Sequence, residues 1–192
     1  MPGVIGKKIG MTRIIQEDGK VIPVTIVLCE PNEITQVKSS DKDGYNAVVQ
    51  GFAPLKRPSK NRKFHQVKEF TPEEGKEYKK GDKITLEIFE LDEKVKITGI
   101  SKGKGFQGVI KRHNFSRGPE THGSHHHRSP GSIGACAKPG RVAKGKKLPG
   151  QMGDSKVSLK GHIAHLEPQK NIVGIKGPIP GARSGFVIIQ KV

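Results

Sequence analysis

The residues with most chemistry to offer lie between Ser101 and Gly153. This stretch holds eleven lysines and arginines (Lys102, Lys104, Lys111, Arg112, Arg117, Arg128, Lys138, Arg141, Lys144, Lys146 and Lys147) against one acid, Glu120. It therefore carries +10 of the chain's net +17. Cations at that density neutralise phosphates. The same stretch has eleven glycines, four prolines and five histidines, and between Ser116 and Arg141 its only large aliphatic residue is Ile133. Such a run is too polar to fold against itself, because it cannot bury enough apolar surface to offset its ordering entropy. A flexible basic arm that orders on a polyanion is the expectation, with Asn114 to Lys147 disordered in the free protein.

Within the arm, Gly103-Lys104-Gly105-Phe106-Gln107-Gly108 fits G-x-G-x-x-G, follows a predicted strand and precedes a predicted short helix over 106–113. A dinucleotide site would also need a surrounding βαβ unit and an acid about 20 residues on. Neither is present, so an RNA phosphate is the better ligand, and a glycine turn with solvated lysines is the plainer alternative. His122, His125, His126 and His127, with His113 and Cys136 nearby, raise a metal site, but three adjacent imidazoles diverge and no paired-cysteine spacing accompanies them. Stacking on bases or bonding to ribose and phosphate suits them better. Cys136 lacks the packed surroundings and oxyanion donors of a nucleophile, and no cofactor, small-molecule substrate or catalytic residue is expected. In Gly150-Gln151-Met152-Gly153 a neutral amide sits between glycines that permit close backbone approach. Gln151 can both donate to and accept from a base edge or ribose, and a solvated turn is the alternative.

The elements that must position these groups are strands. Met11 to Ile15 and Val21 to Cys29 flank Asp18-Gly19, a strong hairpin signal, with Val4 to Ile9 leading in. Ile34 to Val37 and Tyr45 to Phe52 repeat the device around Asp41 to Gly44. The connector from Ala53 to Lys63 is basic and interrupted by prolines, so Arg57, Lys60, Arg62 and Lys63 form a second candidate contact surface. Phe64 to Phe70 predicts a strand and Thr71-Pro72-Glu73-Glu74 a helix start. Ile84 to Phe89 and Val95 to Ile100 alternate as half-buried strands, as does Val157 to Leu166. Asn171 to Ile175 and Phe186 to Ile189 complete eight to ten short strands, which predicts a mainly β chain forming a closed or nearly closed barrel.

The totals agree with a modest core and a basic appendage. Only 32% of residues are hydrophobic, and the pI of about 10.0 favours nucleic acid or an anionic membrane surface. The arm has no amphipathic apolar face for a membrane, and no apolar run approaches the roughly 18 residues of a span. Met1-Pro2-Gly3-Val4 opens neither a signal nor a transit peptide, so a cytoplasmic protein is expected. Cys29 and Cys136 have no framework spacing.

Several runs resemble one family along nearly the whole chain. These are Ile5-Gly6-Lys7-Lys8-Ile9-Gly10-Met11-Thr12, Thr35-Gln36-Val37-Lys38, Asp43-Gly44-Tyr45, Ser101 to Val109 followed by Lys111-Arg112-His113, His122-Gly123-Ser124, His127-Arg128, Pro130 to Gly134, Arg141-Val142, Lys144-Gly145-Lys146, Gly150 to Gly153, Ile175-Lys176-Gly177 and Pro180-Gly181. They are similar to the bacterial form of the L-three family, the third protein of the large ribosomal subunit. The resemblance implies a translation-protein type β-barrel over 1–100 and 154–192, a small α+β insertion at about 53–93 and a long basic loop extension over 101–153 that penetrates rRNA. It implies a non-enzymatic structural constituent of cytoplasmic ribosomes that binds large-subunit rRNA early in assembly, neighbours other subunit proteins and extends a loop toward the peptidyl transferase centre. It adds Lys7, Lys8, Phe106, Gln107 and Arg183 to the expected RNA contacts. It also makes Gln151 a loop-tip candidate for side-chain methylation by a glutamine methyltransferase. The chain departs from the family pattern in a short 53–93 region and in lacking a basic C-terminal tail. A free-standing RNA-binding or RNA-remodelling module is the alternative.

Overall fold

A computed structural model describes residues 3–60, 62–73, 75–76 and 78–192. Met1 and Pro2, Asn61 of the basic connector and Glu74 of the expected helix lie outside the described residues. The chain divides into two units, Met1–Ser101 with Lys156–Val192, and Lys102–Ser155.

In the first unit β1 (Gly3–Ile15) and β2 (Val21–Leu28) make the hairpin around Asp18-Gly19, with Gly19 at φ 76 supplying the turn. β3 (Asn32–Lys38), β4 (Ala47–Pro54), β5 (Phe64–Phe70) and β6 (Lys83–Ile84) form a separate sheet in the order β5-β4-β3-β6. β7 (Lys94–Ile100) precedes the arm, whose own strands are β8 (Gly105–Gln107) and β9 (Gly150–Met152). β10 (Lys156–Glu167), β11 (Ile172–Lys176) and β12 (Phe186–Lys191) follow, and β1-β12-β7-β10-β11-β2 close into a barrel. A closed antiparallel barrel leaves no free edge and presents alternate residues inward. Val4, Val27, Val95, Ile97, Ile163, Val173, Ile175, Val187 and Ile189 fill the interior, so every barrel strand contributes to it.

Successive strand residues face opposite ways, which lets β1 serve two cores. Val4 enters the barrel, whereas Ile5 packs with Phe52 and Phe70 of the second sheet. Phe186 meets Phe52 edge to face at 6.0 Å there. Polar groups fasten the same seam. Gln50 Nε2 donates to the Gly3 carbonyl at 3.1 Å. The Asn32 carboxamide, in the orientation its partners dictate, accepts from the Ile5 N–H at 2.6 Å and donates to the Glu30 carbonyl at 3.1 Å. Buried amides so satisfied specify the junction without an unpaired polar cost.

Several expectations are corrected. Ile34 to Val37 and Tyr45 to Phe52 belong to the second sheet, not the barrel, so that sheet begins at Asn32 and extends well before residue 53. Their connection is one helical turn, α1 (Ser40–Asp43), closed by Gly44 at φ 78, instead of a tight hairpin. Ile84 to Phe89 is not a continuous strand: after β6 a 3-10 turn over Leu86–Ile88 brings Leu86 and Phe89, three apart, into the barrel core. No helix starts at Thr71 among the described residues, since Gly75 at φ 83 turns the chain within what would be its second turn. The helix expected over 106–113 is shortened to α2 (Val109–His113), because Phe106 and Gln107 pair in β8.

Gly6 shows how tightly the barrel wall is filled. A Cβ there would collide with Cys29 Sγ and stand 2.6 Å from Val27 Cγ1. Burial pushes the Cys29 thiol well above its usual range, whereas Cys136 is exposed. Gly6→Ala is expected to cost about 1–3 kcal/mol by overpacking, measured by denaturant unfolding. In the native wild type a thiol reagent at neutral pH should titrate Cys136 quickly and Cys29 only on unfolding. Two equally fast thiols would contradict the closed wall.

Candidate nucleic-acid interface

The arm has a built base. β8 and β9 pair antiparallel as Gly105↔Met152, Phe106↔Gln151 and Gln107↔Gly150, and the Lys104 N–H donates to the Met152 carbonyl at 2.9 Å. Gly105 and Gly153 hold φ 67 and φ 74, and a side chain at Gly153 would run into the Lys102 carbonyl. These glycines therefore shape the protein's own backbone. Gly108 then caps α2, and Asn114 ends it in the left-handed region.

Three of the expected RNA contacts make hydrogen bonds within this base. Arg112 Nη1 donates to the Leu148 carbonyl at 2.7 Å, and His113 Nε2 lies 3.0 Å from the same oxygen. Facing a carbonyl, that ring nitrogen must carry the proton. Gln107 Nε2 likewise donates to the Lys104 carbonyl. The expectation that the arm is too polar to fold against itself is thus corrected at its base, where charge-assisted bonds to backbone oxygens accompany the burial of Val109. Leu148 went unrecognised in the sequence because its contribution is a carbonyl, which no side-chain pattern advertises.

Between Asn114 and Lys147 there is no helix or strand, and no residue from Lys111 to Gly150 is buried. Local bonds shape this stretch: Gly118 N–H donates to the His127 carbonyl at 3.0 Å, His127 Nδ1 lies 2.9 Å from the Pro119 carbonyl, and Arg117 pairs with Glu120. Lys102, Lys104, Lys111, Arg128, Lys138, Arg141, Lys144, Lys146 and Lys147 are exposed, as are His122, His125 and His126. Gln151 is not at a loop tip as expected; it occupies the middle of β9.

In the other unit Arg57, Lys60, Arg62, Lys63 and Arg183 are exposed, with Arg62 reaching the Phe64 and His65 carbonyls at 3.5 Å each. Lys7 is half-buried. Lys8 Nζ donates to the carbonyls of Ile179 and Gly181 at 2.7 and 3.1 Å, tying the loop before β12 to β1. Among the described residues no three histidine, cysteine or acidic side chains converge as metal ligands.

Comparison with known proteins places these features in a family. Residues 75–172 match the family described as Ribosomal protein L3. A large ribosomal subunit protein uL3 from Syntrophus aciditrophicus is 47% identical across 98% of this chain and 92% of its own length. The protein of the same name from Desulforapulum autotrophicum is 46% identical across 98% of each chain, and that from Alkaliphilus metalliredigens 45% identical across 99% of this chain and 97% of its own.

Because Arg112 closes the base from within, Arg112→Ala should loosen it without affecting the barrel core. Hydrogen exchange at the Lys104 amide should accelerate about tenfold or more, in keeping with removal of a charge-assisted bond of roughly 1.5–3 kcal/mol. An unchanged rate would show that the ladder stands without the guanidinium.

Proposed function

As this chain belongs to the ribosomal protein L3 family, and is thereby a structural constituent of the large ribosomal subunit, we propose that it binds large-subunit rRNA directly, chiefly through residues 102–155. The observation that carries this reading is the exposure of ten of the arm's eleven cations, in a unit that buries none of its residues from Lys111 to Gly150. A surface of that kind has a polyanion as its natural complement, and ordering on RNA supplies what a core would otherwise supply. Arg57, Lys60, Arg62, Lys63 and Arg183 form a second set of phosphate contacts on the barrel unit. The family likeness supports entry early in subunit assembly, an arm directed toward the peptidyl transferase centre, and contacts with neighbouring subunit proteins in cytoplasmic ribosomes.

The family is structural and non-enzymatic, and the arm's histidines serve RNA contact in this reading. Gln151 is exposed in β9, and its carboxamide nitrogen is the candidate acceptor for a glutamine methyltransferase. Methylation there would remove a donor hydrogen and add an apolar contact without changing charge. A free-standing RNA-binding module is the less favoured reading, since the relatives that match almost end to end are named as subunit proteins.

The binding reading predicts parallel behaviour in two assays. The protein should remain with large subunits through a high-salt wash. On transcribed large-subunit rRNA, replacing Lys102, Lys104 and Lys111 by glutamine should flatten the dependence of log K on log salt by about 0.7–0.9 for each phosphate no longer neutralised. Release from subunits in the wash would favour the free-standing module, and an unchanged slope would move the phosphate contacts to the Arg57 to Lys63 segment.

A further inference from the structure

We propose that the outward face of the β8–β9 ladder is a seat for a single unpaired RNA base, its ring stacked on Phe106 and its edge read by the Gln151 carboxamide. The proposal rests on the RNA-binding reading above and specifies the ligand at one place within it.

Directly opposed residues of an antiparallel pair share a face, with their Cβ atoms about 4.5–5.5 Å apart. Phe106 stands opposite Gln151, so the phenyl ring and the amide are side by side on one face. Burial tells the two faces apart. Phe106 and Gln151 are exposed, while Gln107 and Met152, which point the other way, are half-buried. The solvent face of this ribbon thus consists of one aromatic ring and one amide.

An exposed apolar side chain alone carries little meaning. Phe106, however, is 74% exposed, the most exposed large hydrophobic side chain among the described residues, whereas the other six phenylalanines are buried or half-buried. No aromatic ring pairs with it among the described residues. The Gln151 nitrogen donates sideways to the Met152 carbonyl at 3.3 Å, an exposed contact that a better acceptor can displace.

Charge selects the occupant. The unit from Lys102 to Ser155 sets eleven lysines and arginines against Glu120 and Asp154, and Glu120 is already paired with Arg117. A polyanion is favoured over a protein surface of ordinary charge. A polyanion that also offers a flat π-face and a hydrogen-bonding edge is a nucleic-acid strand with a base out of its stack. A duplex cannot offer that face, because its bases are already stacked on both sides. Stacking on Phe106 provides sequence-tolerant affinity, and the carboxamide, which both donates and accepts, can read the exposed edge.

The test uses the full chain and a transcript of large-subunit rRNA, comparing wild type with Phe106→Leu, Phe106→Tyr and Gln151→Ala. Phe106→Leu should weaken binding between about fivefold and about a hundredfold, the range for one base that can no longer stack. Its salt slope should stay parallel to wild type, since the same phosphates remain neutralised. Phe106→Tyr keeps the ring and should bind within about threefold of wild type. Gln151→Ala keeps the stack and should narrow the preference for one base over the others at the cross-linked position. Ultraviolet cross-linking followed by mass spectrometry should place a nucleotide on the peptide carrying Phe106 in wild type and not in Phe106→Leu. Equal affinity of Phe106→Leu and wild type overturns the proposal while leaving RNA binding intact. So does an equal weakening in the tyrosine variant, or a cross-link from Phe106 to protein in assembled subunits. Failure of the wild type to bind the transcript more tightly than transfer RNA overturns the underlying reading instead.

Discussion

Closure of the barrel depends on the pairing of β7 with β10, which runs from Ile100↔Lys156 to Lys94↔His162. Adjacent antiparallel strands can be joined by a two-residue turn; here the whole arm is the connection. Loop-closure entropy rises only with the logarithm of length, so the ladder tolerates this long excursion at modest cost. The aliphatic side chains of the barrel interior supply the burial that the arm lacks beyond α2. That division frees the arm's sequence to be chosen for charge. It also explains why the arm needs a base of its own: β8, β9 and the Arg112 clasp on Leu148 restart order by hydrogen bonding where apolar burial is limited to Val109.

The legible parts of the sequence were those where one local pattern had one structural solution. Asp18-Gly19 between β-branched runs specified the first hairpin, and alternation in Val95 to Ile100 specified a barrel strand. Ile84 to Phe89 failed because two patterns coexist there. Ile84, Leu86 and Ile88 alternate as in a strand, while Leu86 and Phe89 are spaced as in a 3-10 turn, and packing into the barrel selected the second. The Thr71 helix failed because its starting signals are followed at once by a glycine in a conformation no helix continues through.

The candidate interface was legible as chemistry and not as geometry. Phe106 and Gln151 each stood out, but their opposition depends on a register between segments separated by the whole arm. Arg112 read as a phosphate ligand because a cation in a basic run has no visible partner in a linear sequence, and Lys8 joined the expected RNA contacts through the family resemblance. Their partners are the carbonyls of Leu148, Ile179 and Gly181, groups that every residue carries and that only the fold selects. The exposed lysines of the arm were assigned most simply, since exposure needs no partner.

The bond from Lys8 to Ile179 joins residues 171 apart in the chain, and β1 pairs with β12 along the same flank. A ladder of such separation is among the last contacts a chain can make as it is synthesised from its N-terminus. The β1–β2 hairpin can form early, but the barrel interior stays unsealed until β12 has been made. The arm leaves the peptide exit before that moment. A newly made chain therefore displays the arm's full set of cations while its barrel is still open, and would meet polyanions as a partly folded molecule.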